Sequence, residues 1–279
     1  MSSRARPIGD NGRMGNGHVT IGSGRIDVDV DRLAGGRVAQ ICVGGVPLLI
    51  GPGEAGSSAI AWGAYPMVPW AGRIRRGQFD FDGKRHHLPI NHGDHAMHGV
   101  GLAMPWDDAG HDETTIDLSL DLPTDDRWPF GGSVTQRIAV DEAGVSFEMT
   151  VTAADRAFPV SFGWHPWFRK PTALDFRPTS MYRRDDDHIT LGELVDVPPG
   201  PWDDCFVNHE PIAMMIDGIE VTLRSDCTHW VVYDEPAHAT CVEPQTGPPD
   251  AFNIAPRILQ RFGSAAAWYR LDIASTSSK

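Results

Sequence analysis

Residues 133–152 read SVTQRIAVDEAGVSFEMTVT, and this stretch decides the fold class. The runs 134–140 and 145–151 are apolar and rich in β-branched residues, and Asp141-Glu142-Ala143-Gly144 joins them. Side chains of a strand alternate between its two faces, so two runs of period two around a polar, glycine-ended joint predict a hairpin. The segment just upstream repeats the pattern. Ile116, Leu118, Leu120 and Leu122 alternate with Asp117, Ser119 and Asp121, as in a half-buried strand. Further out, Phe79-Asp80-Phe81 meets Asp82-Gly83 before a polar strand that ends at Leu88. Asp-Gly supplies the positive φ angles of a tight type I′ turn. Residues 219–223, 230–233, 240–243 and 268–273 continue the strand theme.

Glycine (30) and proline (22) punctuate the whole length and leave no uninterrupted amphipathic helix of twelve residues. Only short helical turns are expected, near 249–252 and 263–267. The predicted class is all-β, a large and mostly antiparallel sandwich or barrel. No composition break or long linker divides the 279 residues. All-β units of this size commonly form one domain, so a single domain over 18–276 is expected. The stretch 171–201, with Arg183-Arg184 followed by three aspartates and few apolar residues, reads as a long surface loop.

Composition narrows the function. The chain carries 24 basic and 37 acidic residues, a net charge of -13, whereas phosphate backbones and anionic membranes are held by basic fields. Neither is expected as a partner, and no window approaches the ~18 uninterrupted apolar residues of a membrane span. Cys42, Cys205, Cys227 and Cys241 are too few and too dispersed for a disulfide framework. Residues 1–17, rich in Gly, Arg, Ser and Asn, lack the apolar centre of a signal peptide and read as a disordered leader. A cytoplasmic protein is the resulting expectation.

Three segments could carry chemistry. Five of the twelve histidines fall between His86 and His98, and His92, His95 and His98 stand three apart. Asn91 and Gly93 argue for a loop there, and three imidazoles without a fourth ligand are weak grounds for zinc. No metal is expected. Trp164-His165-Pro166-Trp167-Phe168 reads either as a core strand with a satisfied histidine or as aromatic platforms for the C–H faces of a sugar. Trp70, Trp164, Trp167 and Trp202 are the candidates for such a platform. In Cys241-Val242-Glu243-Pro244-Gln245-Thr246 a glutamate ends an apolar strand before a proline-rich loop, and Cys241 should share its face.

Together these segments resemble the aldose 1-epimerase (galactose mutarotase) family over most of the chain, from about residue 21 to residue 273. The run from Gly72-Arg73-Ile74 to Asp82-Gly83 is similar to the family's Asn-Arg-Ile segment and the hairpin after it. Met97-His98-Gly99 follows some twenty-five residues later, and His165-Pro166-Trp167-Phe168 resembles the His-Pro-Tyr-Phe strand. Asp203, three residues before Phe206, stands where the family has its substrate-binding aspartate. Glu243-Pro244-Gln245-Thr246 with Asp250-Ala251-Phe252-Asn253 resembles the catalytic glutamate strand. The resemblance implies a galactose mutarotase-like supersandwich that interconverts the α and β anomers of a hexopyranose. It implies Glu243 as general base at O1, His165 as general acid at the ring oxygen, and His98, Arg73 and Asp203 as substrate-binding residues. Ring opening needs only proton transfers, so no cofactor is expected. An imidazolium beside a carboxylate suits this chemistry at their ordinary pKa values. The implied partner is a monosaccharide, with the chain a monomer or homodimer.

The departures bear on the sugar. Gly72 replaces the usual Asn, Trp167 stands for Tyr, Val100 replaces the second Gly, and Asp204 follows Asp203 where His is frequent. Asp204 could take the role of Asp203 after a small register shift. Arg73, Arg75 and Arg76 raise an alternative substrate, an anionic hexose such as a 6-phosphate or sulfonated sugar. As successive strand residues, Arg73 and Arg75 would share one face. A non-catalytic carbohydrate-binding module is the reading from a different class.

Overall fold

The computed structural model describes residues 17–54, 56 and 58–274. The expected leader, Gly17 apart, lies outside the described residues. Two large antiparallel sheets dominate. The first runs, edge to edge, His18–Ser23, Ile26–Asp31, Arg37–Val43, Ala64–Met67, Gly163–Arg169, Ala239–Gln245, His229–Tyr233, Asp203–Val207, Ser180–Arg184 and Thr190–Val195, with Val46–Pro47 added beside the third strand. The second runs Asp107–His111, Thr115–Asp121, Ser133–Asp141, Gly144–Thr152, Ser264–Ile273, Ile219–Ser225, Ile212–Ile216 and Ala173–Asp175. The predicted hairpin lies in this second sheet, in register from Asp141↔Gly144 to Ser133↔Thr152. The Asp141 side chain closes its turn by accepting the Ala143 N–H at 2.8 Å. Asp82 and Gly83 take φ of 51° and 68° between Gln78–Phe81 and Lys84–His87, as a type I′ corner requires.

The alternating apolar residues of both sheets meet in one core. Val28, Val30, Ile41 and Trp164 from the first sheet pack in the same cluster as Ile116, Ile138, Phe147 and Leu271 from the second. Each such side chain contributes roughly 1.5–3 kcal/mol by leaving water. One polar contact crosses the core: the Trp164 indole donates to Gln136 Oε1 at 2.8 Å, and Gln136 Nε2 donates to the Gly36 carbonyl at 2.8 Å. The buried Trp164 indole and both ends of the Gln136 carboxamide are thereby paired.

Three local expectations are corrected. Residues 171–201 do not form one long loop; they supply Ala173–Asp175 and Thr190–Val195 at sheet edges and Ser180–Arg184 next to an edge. Edge strands can be short and charged because one side faces water, which is why their apolar signal is faint. Residues 263–267 are not helical, because Ser264 to Ile273 forms one ten-residue strand paired on both sides. Arg75 and Arg76 do not continue a strand. They sit in a 3-10 turn, Arg75–Gly77, in which Arg76 takes a φ of 50°. The helical turn near 249–252 is present as Ala251–Ile254. Among the described residues no helix is long and apolar enough to cross a membrane.

Candidate active site

Strand alternation carries functional side chains to the outer face of the first sheet. Trp164 and Phe168 of Gly163–Arg169 point into the core between the sheets, while His165 and Trp167 point away from it. In the next strand Val242 faces the core and Glu243 is on the opposite side. The register Gly163↔Gln245 and Trp167↔Cys241 brackets His165 directly opposite Glu243. Tyr65 pairs with His165 on one flank and Val231 with Glu243 on the other. Asp203, one strand further, pairs with Tyr233.

Loops complete the walls. Arg73–Ile74 pairs with Ala96–Met97, and the His98 N–H donates to the Gly72 carbonyl at 2.9 Å. Arg73 and His98 are therefore held side by side above the sheet. Asp250 fixes the same segment by donating its N–H to the Arg73 carbonyl and accepting the Arg75 N–H at 3.0 Å. Arg73, His98, His165, Asp203 and Glu243 all line one cavity of about 260 Å³. That is just below the ~300–1,000 Å³ typical of small-molecule sites, room for one small ring. The structure thus brings all five expected residues together.

At the floor, His165 Nε2 lies 3.1 Å from Glu243 Oε1. The imidazole is stacked between Tyr65, at 4.8 Å and 25°, and Trp167, at 5.4 Å and 12°, and His98 meets it edge-on at 5.0 Å. Burial pushes the Glu243 carboxyl well above its usual range, and the Asp203 charge adds to this; the Gln245 hydrogen bond and Arg73 work against it. Burial above all lowers His165 to about 3; a backbone hydrogen bond opposes the shift, and the charges of Arg37 and Arg73 add to it. His98 is likewise pushed well below its ordinary value by burial, then by His165 and Arg73. The imidazolium expected at position 165 is corrected: near neutral pH the ring is uncharged, because leaving water penalises its cation.

Asp203 rather than Asp204 reaches this cavity. Arg184 holds both carboxylates, Nη1 at 3.2 Å from Asp203 and Nε at 3.0 Å from Asp204. A substrate-binding role for Asp203 predicts that Asp203→Asn raises KM roughly tenfold, the loss of one charge-assisted hydrogen bond. Removing its charge should also move the Glu243 titration to lower pH, read from the pH profile of kcat/KM. Of the three clustered arginines only Arg73 lines the cavity; Arg75 pairs with Asp185, and Arg75 and Arg76 open onto a separate surface hollow. The shared face expected for Arg73 and Arg75 is lost at the 3-10 turn.

The histidine run divides. His92 and His98 reach the cavity, whereas His95 is buried and accepts the Arg76 N–H at 3.1 Å. Among the described residues the grouping with donor atoms close enough to hold an ion is instead His165, Cys241 and Glu243, within 4.8 Å of one another. Cys241 shares the strand face of Glu243 but does not line the cavity, being packed with Tyr65, Met67 and Trp167. Of the four candidate tryptophans, Trp167 alone forms a wall. Trp70 and Trp164 belong to the core, and Trp202 packs on Phe176 and Phe206. Sequence reasoning missed Tyr65, Tyr233 and Gln245. The rule that put Cys241 on the Glu243 face, two residues before it, applies equally to Gln245, two residues after.

Gly72 explains one departure. Its φ is +68°, and a Cβ there would lie 2.8 Å from Pro249 Cβ and 2.9 Å from Pro249 Cα. The cavity rim has no room for an asparagine side chain. Gly72→Ala is expected to cost about 1–3 kcal/mol, seen as a lowered midpoint in denaturant unfolding.

The two packed antiparallel sheets are a β-sandwich of the galactose mutarotase-like fold. The chain belongs to the aldose 1-epimerase family, whose sequence profile matches residues 19–266. Two uncharacterized Escherichia coli proteins are similar to it. YihR is 24% identical over 250 residues, covering 78% of this chain and 80% of YihR. YphB is 26% identical over 151 residues, covering 53% of this chain and about half of YphB, 51%. Among solved structures, a GalM/aldose epimerase homologue from C. elegans superposes with a TM-score of 0.80 at 17% identity, over 94% of this chain and 99% of that one.

Proposed function

We propose that the protein is a mutarotase that interconverts the α and β anomers of a neutral hexopyranose, with Glu243 as base and His165 as acid. The observation that carries this reading is the buried His165–Glu243 contact of 3.1 Å at the floor of a monosaccharide-sized cavity. Glu243, ionised, removes the O1 proton as the bond from C1 to the ring oxygen breaks, and the neutral His165 ring donates its Nε2–H to that oxygen. A neutral imidazole can serve as such a donor when its environment keeps it uncharged. The proton gained by Glu243 returns to His165 across their direct contact, so the pair ends the step as it began. Rotation about C1–C2 presents the other aldehyde face, and closure reverses both transfers. Arg73, His98 and Asp203 bind and orient the hydroxyls.

A neutral sugar is favoured over an anionic one because Asp203 and Glu243 face the one arginine in the cavity. The test is anomerisation of freshly dissolved sugars, neutral and 6-phosphorylated, followed by polarimetry or NMR. Catalysed decay toward the equilibrium rotation is expected for at least one neutral aldohexose. Decay only at the spontaneous rate across the panel, with binding retained, supports a carbohydrate-binding module instead.

A further inference from the structure

We propose that Gln245 reads the hydroxyl on C2 of the sugar, an inference that rests on the mutarotase reading above. The two oxygens of Glu243 have different partners: Oε1 faces His165 Nε2 at 3.1 Å, and Oε2 accepts from Gln245 Nε2 at 3.1 Å. The carboxylate is thus flanked by the imidazole on one side and the carboxamide on the other. The anomeric carbon has two ring neighbours, the ring oxygen and C2. With O1 on Glu243 and the ring oxygen toward His165, C2 falls on the Gln245 side.

The carboxamide is ready for that contact. Gln245 is fully buried and lines the cavity, yet its Oε1 has no hydrogen-bond partner. Buried polar atoms are left unpaired in the cavity walls on His98, His165, Trp167 and Gln245, and of these the Gln245 oxygen belongs to the residue that also holds Glu243 Oε2. A buried acceptor without a donor is costly, and a substrate hydroxyl relieves the cost. Gln245 pairs with Gly163 on one flank, which brings no side chain into the space beside it, and with His229 on the other. Nε2 orients the base while Oε1 takes the O2 proton, so one side chain couples base position to the group next to the reacting carbon.

The test compares a turned-over hexose with its 2-deoxy analogue, glucose with 2-deoxyglucose or galactose with 2-deoxygalactose. In the wild-type protein kcat/KM should be about tenfold or more lower for the 2-deoxy sugar, the scale of one lost hydrogen bond. In Gln245→Met, which keeps length and apolar bulk, the ratio between the two sugars should collapse toward one, whatever happens to the absolute rates. Equal wild-type efficiencies overturn the inference without need of any variant. A Gln245→Met protein that keeps the full wild-type ratio also overturns it. Either result leaves the mutarotase reading standing, whereas no catalysed anomerisation of any sugar overturns both.

Discussion

Replacing Glu243 with Gln is expected to slow anomerisation by about 10²–10⁴-fold, the usual contribution of a positioned proton-transfer group. The substitution keeps the shape and the hydrogen-bonding reach of the side chain, so sugar binding should change little. What it removes is the ability to take up a proton from O1. The residue lies fully within the sheet, 2% exposed, between two paired strands, so no neighbouring carboxylate can swing into its place; Asp203 is held by Arg184. Progress curves from polarimetry give kcat and KM separately. A Gln protein with near wild-type kcat removes Glu243 from the role of base.

The second large effect is expected at His165. His165→Asn takes away the Nε2–H donor and its stack between Tyr65 and Trp167, and a loss of similar size should follow. The pH profile separates the two residues. Glu243 must be ionised to act, and burial raises its pKa above the ordinary 4.5. Activity should therefore climb with pH along a limb that lies above 4.5. His165 is lowered to about 3, so its protonation occurs below that limb and does not shape it. The acidic limb should persist in His165→Asn at its reduced rate and be absent from the residual activity of Glu243→Gln. A limb that vanishes with His165 instead would reverse the assignment of charge within the pair.

Much of the architecture was legible because period-two alternation is local. The hairpin at 133–152 and the strand at 115–121 announce themselves in consecutive residues, and the Asp82-Gly83 corner needs only two. The edge strands between residues 173 and 195 were not legible. They face water on one side, carry charge, and gain their order from neighbours distant in sequence, such as the Arg75–Asp185 contact. The same limit explains Arg75 and Arg76, whose 3-10 turn is set by an aspartate 175 residues further along the chain.

For the site, the sequence by itself determined the residue types: a glutamate and a histidine in apolar strands, with an arginine, a second histidine and an aspartate in fixed order. It also determined, through strand alternation, that Cys241 and Glu243 share a face. Only the tertiary structure decided that residues 165 and 243, far apart in the chain, meet across one ladder step, because register between strands depends on how both faces pack. It alone placed Asp203 in the cavity and left Arg75 outside. It also fixed the charge state of His165: a free imidazole prefers to protonate near 6.5, and burial at the cavity floor, with the charges of Arg37 and Arg73, takes that proton away.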